Sequence, residues 1–193
     1  MPLTKTIFRQ NCLKKIKNSP KHNAIYKNAK LNNELQKEIA KFKNPKVLLY
    51  APLPFEPDIG KTIQLIRKKC DVFVPFMEGE SFKMVPFRLP LKKKKFGIYE
   101  AGNTLRNIKK IDIAIVPIVG VDGKLQRVGF GKGMYDRFFA KLKKRPYIIF
   151  IQSEFCYTNE FICDDYDVTC DLVITPKVKV KNRTIITRAR NRK

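Results

Sequence analysis

The chain has 193 residues, 44% of them hydrophobic, and 41 Lys and Arg against 17 Asp and Glu, for a formal net charge of +24. That is enough apolar chain for one domain with a core of its own. It contains no run near the roughly 18 apolar residues that a spanning helix needs and no secretory leader pattern, so a cytoplasmic protein is expected.

Residues 3–17 read as a basic amphipathic helix, with Ile7, Leu13 and Ile16 near one face. Lys5 and Arg9, four apart, share another face one turn apart. Residues 23–42 read as a second helix, with Ile25, Leu31, Leu35 and Ile39 toward the core, stopped by Pro45. A short buried strand over 47–50 leads into a proline-rich turn, 52–57, that carries Glu56. Residues 58–69 are expected to be helical, 71–76 and 83–88 to be strands, and the lysine run 92–95 to be an exposed loop. Strands follow over 111–119, 147–151 and 172–174, with a helix over 134–142 between the first two. Strands alternating with helices predict an α/β fold, a single three-layer domain with a mainly parallel central sheet. Ligands in such sheets lie beyond the carboxyl ends of strands, where Glu56 falls. Residues 1–175 form the expected domain. Residues 176–193 carry no acidic residue and are expected to be a flexible basic tail.

Residues 125–137, Leu-Gln-Arg-Val-Gly-Phe-Gly-Lys-Gly-Met-Tyr-Asp-Arg, join the strand over 111–119 to the helix over 134–142. Alternating Gly129, Gly131 and Gly133 let backbone N–H groups approach an anion. The following helix start adds partial positive charge, and Lys132 and Arg127 add full charges. Asp136 is of the type that holds magnesium. No Gly-Lys-Ser/Thr ends the turn, so it is not a Walker A loop, and no G-x-G-x-x-G can be read in it. Glycine spacing alone leaves phosphate binding and an ordinary strand-to-helix turn both open, while the flanking charges favour phosphate.

The net charge has three readings: nucleic-acid binding, a lysine-rich solvated surface, or a field that concentrates an anionic small substrate. Scatter of the lysines through every segment favours the second. The five cysteines, Cys12, Cys70, Cys156, Cys163 and Cys170, form no C-x-x-C and have only His22 for company, which argues against zinc and for free thiols.

The run from Asp112 to Pro117, then Gly123, then Arg127 to Arg137 resembles the signature of the 5-formyltetrahydrofolate cyclo-ligase family. Lys5-x-x-x-Arg9, Tyr50 with Glu56-Pro57-Asp58, Phe96-Gly97-Ile98-Tyr99-Glu100 and the aspartate-bounded strand from Asp167 to Thr175 fall in the family's order. Ala101 stands where the family usually has proline, and 153–163 matches poorly. The resemblance implies ATP-dependent ring closure of 5-formyltetrahydrofolate to 5,10-methenyltetrahydrofolate with release of ADP and phosphate. It further implies ATP binding by Lys5, Arg9, Arg127, Gly129, Gly131, Lys132, Gly133 and Tyr135, with Lys132 and Arg127 catalytic. Folate would meet Ala51, Glu56, Phe130 and Met134, and Mg²⁺ would sit between Asp136 and Asp167. The partner is then a reduced folate, polyglutamylated or not. No membrane, no specific nucleic acid and a monomer are expected. Two alternatives stay open: a basic RNA- or ribosome-associated protein, and a nucleotide-binding relative without folate chemistry.

Overall fold

The structure, a computed structural model, describes residues 2–20, 23–93, 99–104, 108, 110–181 and 184–187. His22 and the segment 96–98 of the Phe-Gly-Ile motif lie outside them. Four helices, α1 (Lys5–Lys17), α2 (Ala24–Ile39), α3 (Gly60–Ile66) and α4 (Met134–Ala140), surround an eight-stranded sheet. Its strands are β1 (Lys46–Leu48), β2 (Asp71–Glu78), β3 (Ser81–Pro86), β6 (Ile113–Pro117), β9 (Tyr147–Ile151), β10 (Leu172–Ile174), β11 (Val178–Lys181) and β12 (Thr184–Thr187). Two short pairs complete the described elements: β4 (Lys92–Lys93) with β5 (Tyr99–Glu100), and β7 (Gly120–Val121) with β8 (Arg127–Val128).

The sheet runs β12-β11-β10-β9-β6-β1-β2-β3. Its middle five strands pair in parallel, and antiparallel partners close both edges. The parallel strands are apolar on both faces because helices cover both. Ile113, Ile115, Ile149 and Ile151 face α2 and α3, against Leu31, Leu35 and Ile63. Ala114, Val116, Ile148 and Phe150 face the other way, toward Phe138 of α4. This period-two division makes the three layers. The chain leaves β1 toward β2 and later returns to β1's other side with β6. The crevice beyond the carboxyl ends of β1 and β6 is therefore the switch point where such sheets hold ligands.

Four expectations need correction. Ile25, expected to turn toward the core, stands 84% exposed at the start of α2. Residues 176–193 are not simply a tail, since β11 and β12 extend the sheet. Lys179 is ion-paired with Glu34 at 2.6 Å and Glu38 at 2.7 Å, fixing the hairpin to α2. In α1 the buried residues are Phe8 and Cys12, which pack with Val119, Val128 and Cys156, while Ile7 is 37% exposed. Lys92 and Lys93 form a strand instead of a loop.

Candidate functional site

Two cavities share one wall at the switch point. The first, of about 540 Å³, is basic: Lys5, Arg9, Arg127, Lys132 and Arg137 line it against Asp136, Asp164 and Asp167. The second, of about 570 Å³, is mainly apolar. Tyr50 and Ala51 reach it from beyond β1, Pro117 from the end of β6, and Phe82, Phe130 and Met134 from its other sides. Arg127, Lys132, Gly133 and Arg137 border both.

The glycine turn is shaped by arginines as much as by any anion. Arg127 stands on β8 and is only 7% exposed. Its Nη1 donates to Asp136 Oδ2 at 3.2 Å, its guanidinium lies 5.0 Å from the centre of the Tyr135 ring, and its buried Nε has no partner among the described residues. A Cβ at position 129 would come within 2.5 Å of that guanidinium, so only glycine lets Arg127 lie back over the turn. Gly133 starts α4 with φ +61°, a left-handed conformation that favours glycine. Helix α4 has only seven residues, so charged side chains rather than a helix dipole dominate the field here.

Helix α1 brings its two cations from the opposite side. Arg9 Nε donates to the Gly129 carbonyl at 2.7 Å, bracing the turn. Lys5 pairs with Asp167 and, at 3.2 Å, with Asp164. Partial burial disfavours the Lys5 charge, but the bonds to Asp167 and Asp164 outweigh it and hold the ammonium above its ordinary pKa. Asp136 Oδ1 also accepts from Val168 N at 3.2 Å, and Asp167 Oδ2 from Asp164 N at 2.8 Å. Among the described residues no three His, Cys, Asp or Glu gather as a metal cluster.

In the apolar cavity, burial pushes the Glu56 carboxyl up to about 7, against the pull of the Leu53 N–H, which it accepts at 2.9 Å, and of Arg127. Tyr50, buried, donates to the Pro57 carbonyl at 2.7 Å, which fixes the turn that presents Glu56. Tyr135 packs edge-on against Phe82 at 5.0 Å, and burial pushes its hydroxyl up.

The structure thus brings Lys5, Arg9, Arg127, Gly129, Gly131, Lys132, Gly133, Asp136 and Asp167 to one cavity. It brings Ala51, Glu56, Phe130 and Met134 to the other. Tyr135, grouped with the nucleotide residues from sequence, is placed apart from them: it lines the apolar cavity and not the basic one. Successive helical residues diverge by about 100°, so Asp136 and Tyr135 face different sides. Sequence reasoning missed Asp164, Tyr166 and Arg137. The first two carried no signal beyond an acidic run, whereas Arg137 stood inside the glycine motif without a role.

The family model described as the 5-formyltetrahydrofolate cyclo-ligase family matches residues 3–176. A 5-formyltetrahydrofolate cyclo-ligase of Mycoplasma pneumoniae is 27% identical over 144 residues, 75% of this chain and 84% of that one. The enzyme of the same name from Mycoplasma genitalium is 28% identical over 164 residues, 82% of this chain and 96% of that one. The NMR structure of the 5,10-methenyltetrahydrofolate synthetase of Aquifex aeolicus superposes with a TM-score of 0.79 at 25% identity, covering 98% of both chains.

Proposed function

The chain belongs to the 5-formyltetrahydrofolate cyclo-ligase family, and from that premise we infer how its two cavities divide the work. The reaction is the ATP-dependent cyclisation of 5-formyltetrahydrofolate to 5,10-methenyltetrahydrofolate, with release of ADP and phosphate. The basic cavity takes the ATP phosphates, and the apolar cavity takes the folate. The observation that carries this division is the shared wall of Arg127, Lys132, Gly133 and Arg137, because a phosphoryl group must pass from one substrate to the other.

The formyl oxygen is a weak nucleophile, so positioning and charge neutralisation must supply the rate. It attacks the terminal phosphorus of ATP, and the bond to the bridging oxygen breaks with its electron pair leaving on ADP. The second folate nitrogen then adds to the activated carbon and loses its proton, and the carbon–oxygen bond breaks to release phosphate. Arg127, Lys132, Lys5 and Arg9 hold the phosphates, and the unpartnered Arg127 Nε is a donor suited to one of their oxygens. Glu56 accepts hydrogen bonds from the pterin ring, with Phe130 and Met134 against the ring faces.

Asp136 and Asp167 suit Mg²⁺, which takes one or two carboxylates plus substrate phosphates rather than an all-protein cage. Each carboxylate is paired with a cation in the structure, so it would share or exchange that partner for the ion, and substrate phosphates would supply the remaining donors. Bound there, the ion would neutralise phosphate charge. We place the enzyme in the cytoplasm as a monomer acting on reduced folates with or without polyglutamate. The relatives reported above carry cyclo-ligase or synthetase names, which favours that reading over the nucleic-acid alternative, and no described helix is long and apolar enough to cross a membrane.

Purified protein with ATP, Mg²⁺ and 5-formyltetrahydrofolate should gain the near-ultraviolet absorbance of the methenyl product, and omission of ATP should abolish it. No gain at any pH overturns the assignment.

A further inference from the structure

We propose that Arg137 is a catalytic residue, its Nη1 edge donating to the phosphoryl group as it crosses from ATP to the formyl oxygen. This rests on the cyclo-ligase reading above. The group in flight must pass the wall that the two cavities share, and three cations stand there: Arg127, Lys132 and Arg137. Arg127 is charge-matched by Asp136 and lies over the Tyr135 ring. Arg137 is held differently. Its Nε donates to the Glu80 carbonyl at 2.9 Å, and its Nη2 to the carbonyls of Glu80 and Lys132, both at 2.5 Å.

Both acceptors are main-chain carbonyls, and among the described residues no carboxylate pairs with Arg137. Carbonyls fix a guanidinium without neutralising it, so the full positive charge stays on the wall. The third edge, Nη1, has no partner among the described residues. It lies close over Gly133, where an added Cβ would come within 2.9 Å of it. Gly133 itself borders both cavities. The geometry is therefore a planar fork, clamped on two sides and open toward the place where negative charge moves. Such preorganised donors act most strongly on transferring phosphoryl groups.

The step is balanced as written above: the new bond joins the formyl oxygen to the terminal phosphorus, and the electron pair of the broken bond leaves on ADP. Arg137 neither gives nor takes a proton. It stabilises charge on the phosphoryl oxygens through its full positive charge and the N–H groups of Nη1, the one nitrogen the carbonyls leave open.

The experiment compares Arg137→Ala and Arg137→Lys in the methenyl absorbance assay. Alanine should lower kcat and kcat/KM together by about 100-fold, as loss of one transition-state donor does, while KM for both substrates stays near the wild-type values. Guanidinium chloride at millimolar concentration should restore rate to the alanine variant and leave wild type unchanged. Lysine, which keeps the charge but cannot span both carbonyls, should retain most of the rate. If alanine does not fold, Arg137→Gln takes its place. Wild-type kcat in the neutral variant overturns the proposal. So does a lysine variant as slow as the neutral one with no guanidinium rescue, because Arg137 would then be only a clasp between the β2–β3 turn and the glycine turn. An inactive wild type would instead overturn the cyclo-ligase reading itself.

Discussion

Glu56→Gln should abolish the pH dependence of folate binding across neutrality. With its carboxyl raised to about 7 by burial, Glu56 is about one-tenth ionised at pH 6 and about nine-tenths at pH 8. If the pterin N–H groups bind the carboxylate form, affinity rises roughly tenfold over that interval, or about 1.4 kcal/mol. Binding also lowers the pKa, so protons are released, most of them below pH 7. The sign for stability is opposite. A raised carboxyl pKa favours the folded state fully below the ordinary value of 4.5 and loses that contribution as pH climbs through about 7. The free enzyme thus weakens toward pH 8, by up to about 3 kcal/mol from this group, and the glutamine variant does not. Isothermal titration of 5-formyltetrahydrofolate at pH 6, 7 and 8, in buffers of different ionisation heat, reads affinity and proton release together. A flat wild-type profile, or a glutamine variant with the wild-type slope, refutes the reasoning.

Gly129→Ala should drive the Arg127 guanidinium off Asp136, lowering thermal stability by about 1–3 kcal/mol and weakening ATP in calorimetric titration; unchanged melting and ATP affinity would show that Arg127 has another place to lie. Asp136→Asn with Asp167→Asn should raise the Mg²⁺ concentration for half-maximal rate by at least about tenfold, and an unshifted Mg²⁺ titration removes both residues from the metal. Lys179→Ala removes the ion pairs that tie the hairpin to Glu34 and Glu38, so chemical denaturation at pH 7 should report a loss of about 2 kcal/mol with kcat unchanged, whereas wild-type stability would mean that those pairs add nothing to the fold.

Much of the site was legible because its chemistry is local. Residues 125–137 carry Arg127, Lys132, Arg137, the glycines and Asp136 within one turn, and the wholly apolar runs of β6 and β9 on either side fix where that turn must lie. The partition of Ala51, Glu56, Phe130 and Met134 from the phosphate residues also survives in three dimensions. What stayed hidden depends on packing between distant segments. Phe8, not Ile7, turns inward because its partners, Val119 and Val128, come from a hairpin over a hundred residues away. The need for glycine at 129 comes from where the Arg127 side chain folds back, which spacing does not encode. In 178–187 the alternation of Val178, Lys179, Val180 and Lys181 was a strand signal masked by charge, and the acidic partners that absorb Lys179 lie on α2.

The ion pair between Lys5 and Asp167 joins residues 162 positions apart. The lining of the apolar cavity, by contrast, comes entirely from 50–137. Synthesis from the N-terminus makes the lining of the apolar cavity before Asp164 and Asp167 exist as chain, and Lys5 and Arg9 before either. The contacts of Lys5 with Asp164 and Asp167 therefore close after the lining of the apolar cavity has been made. A chain ended before Asp164 has the Gly129 carbonyl that Arg9 binds and the Val119 and Val128 on which Phe8 packs, but it lacks the carboxylates that Lys5 binds and the β10 strand beside β9.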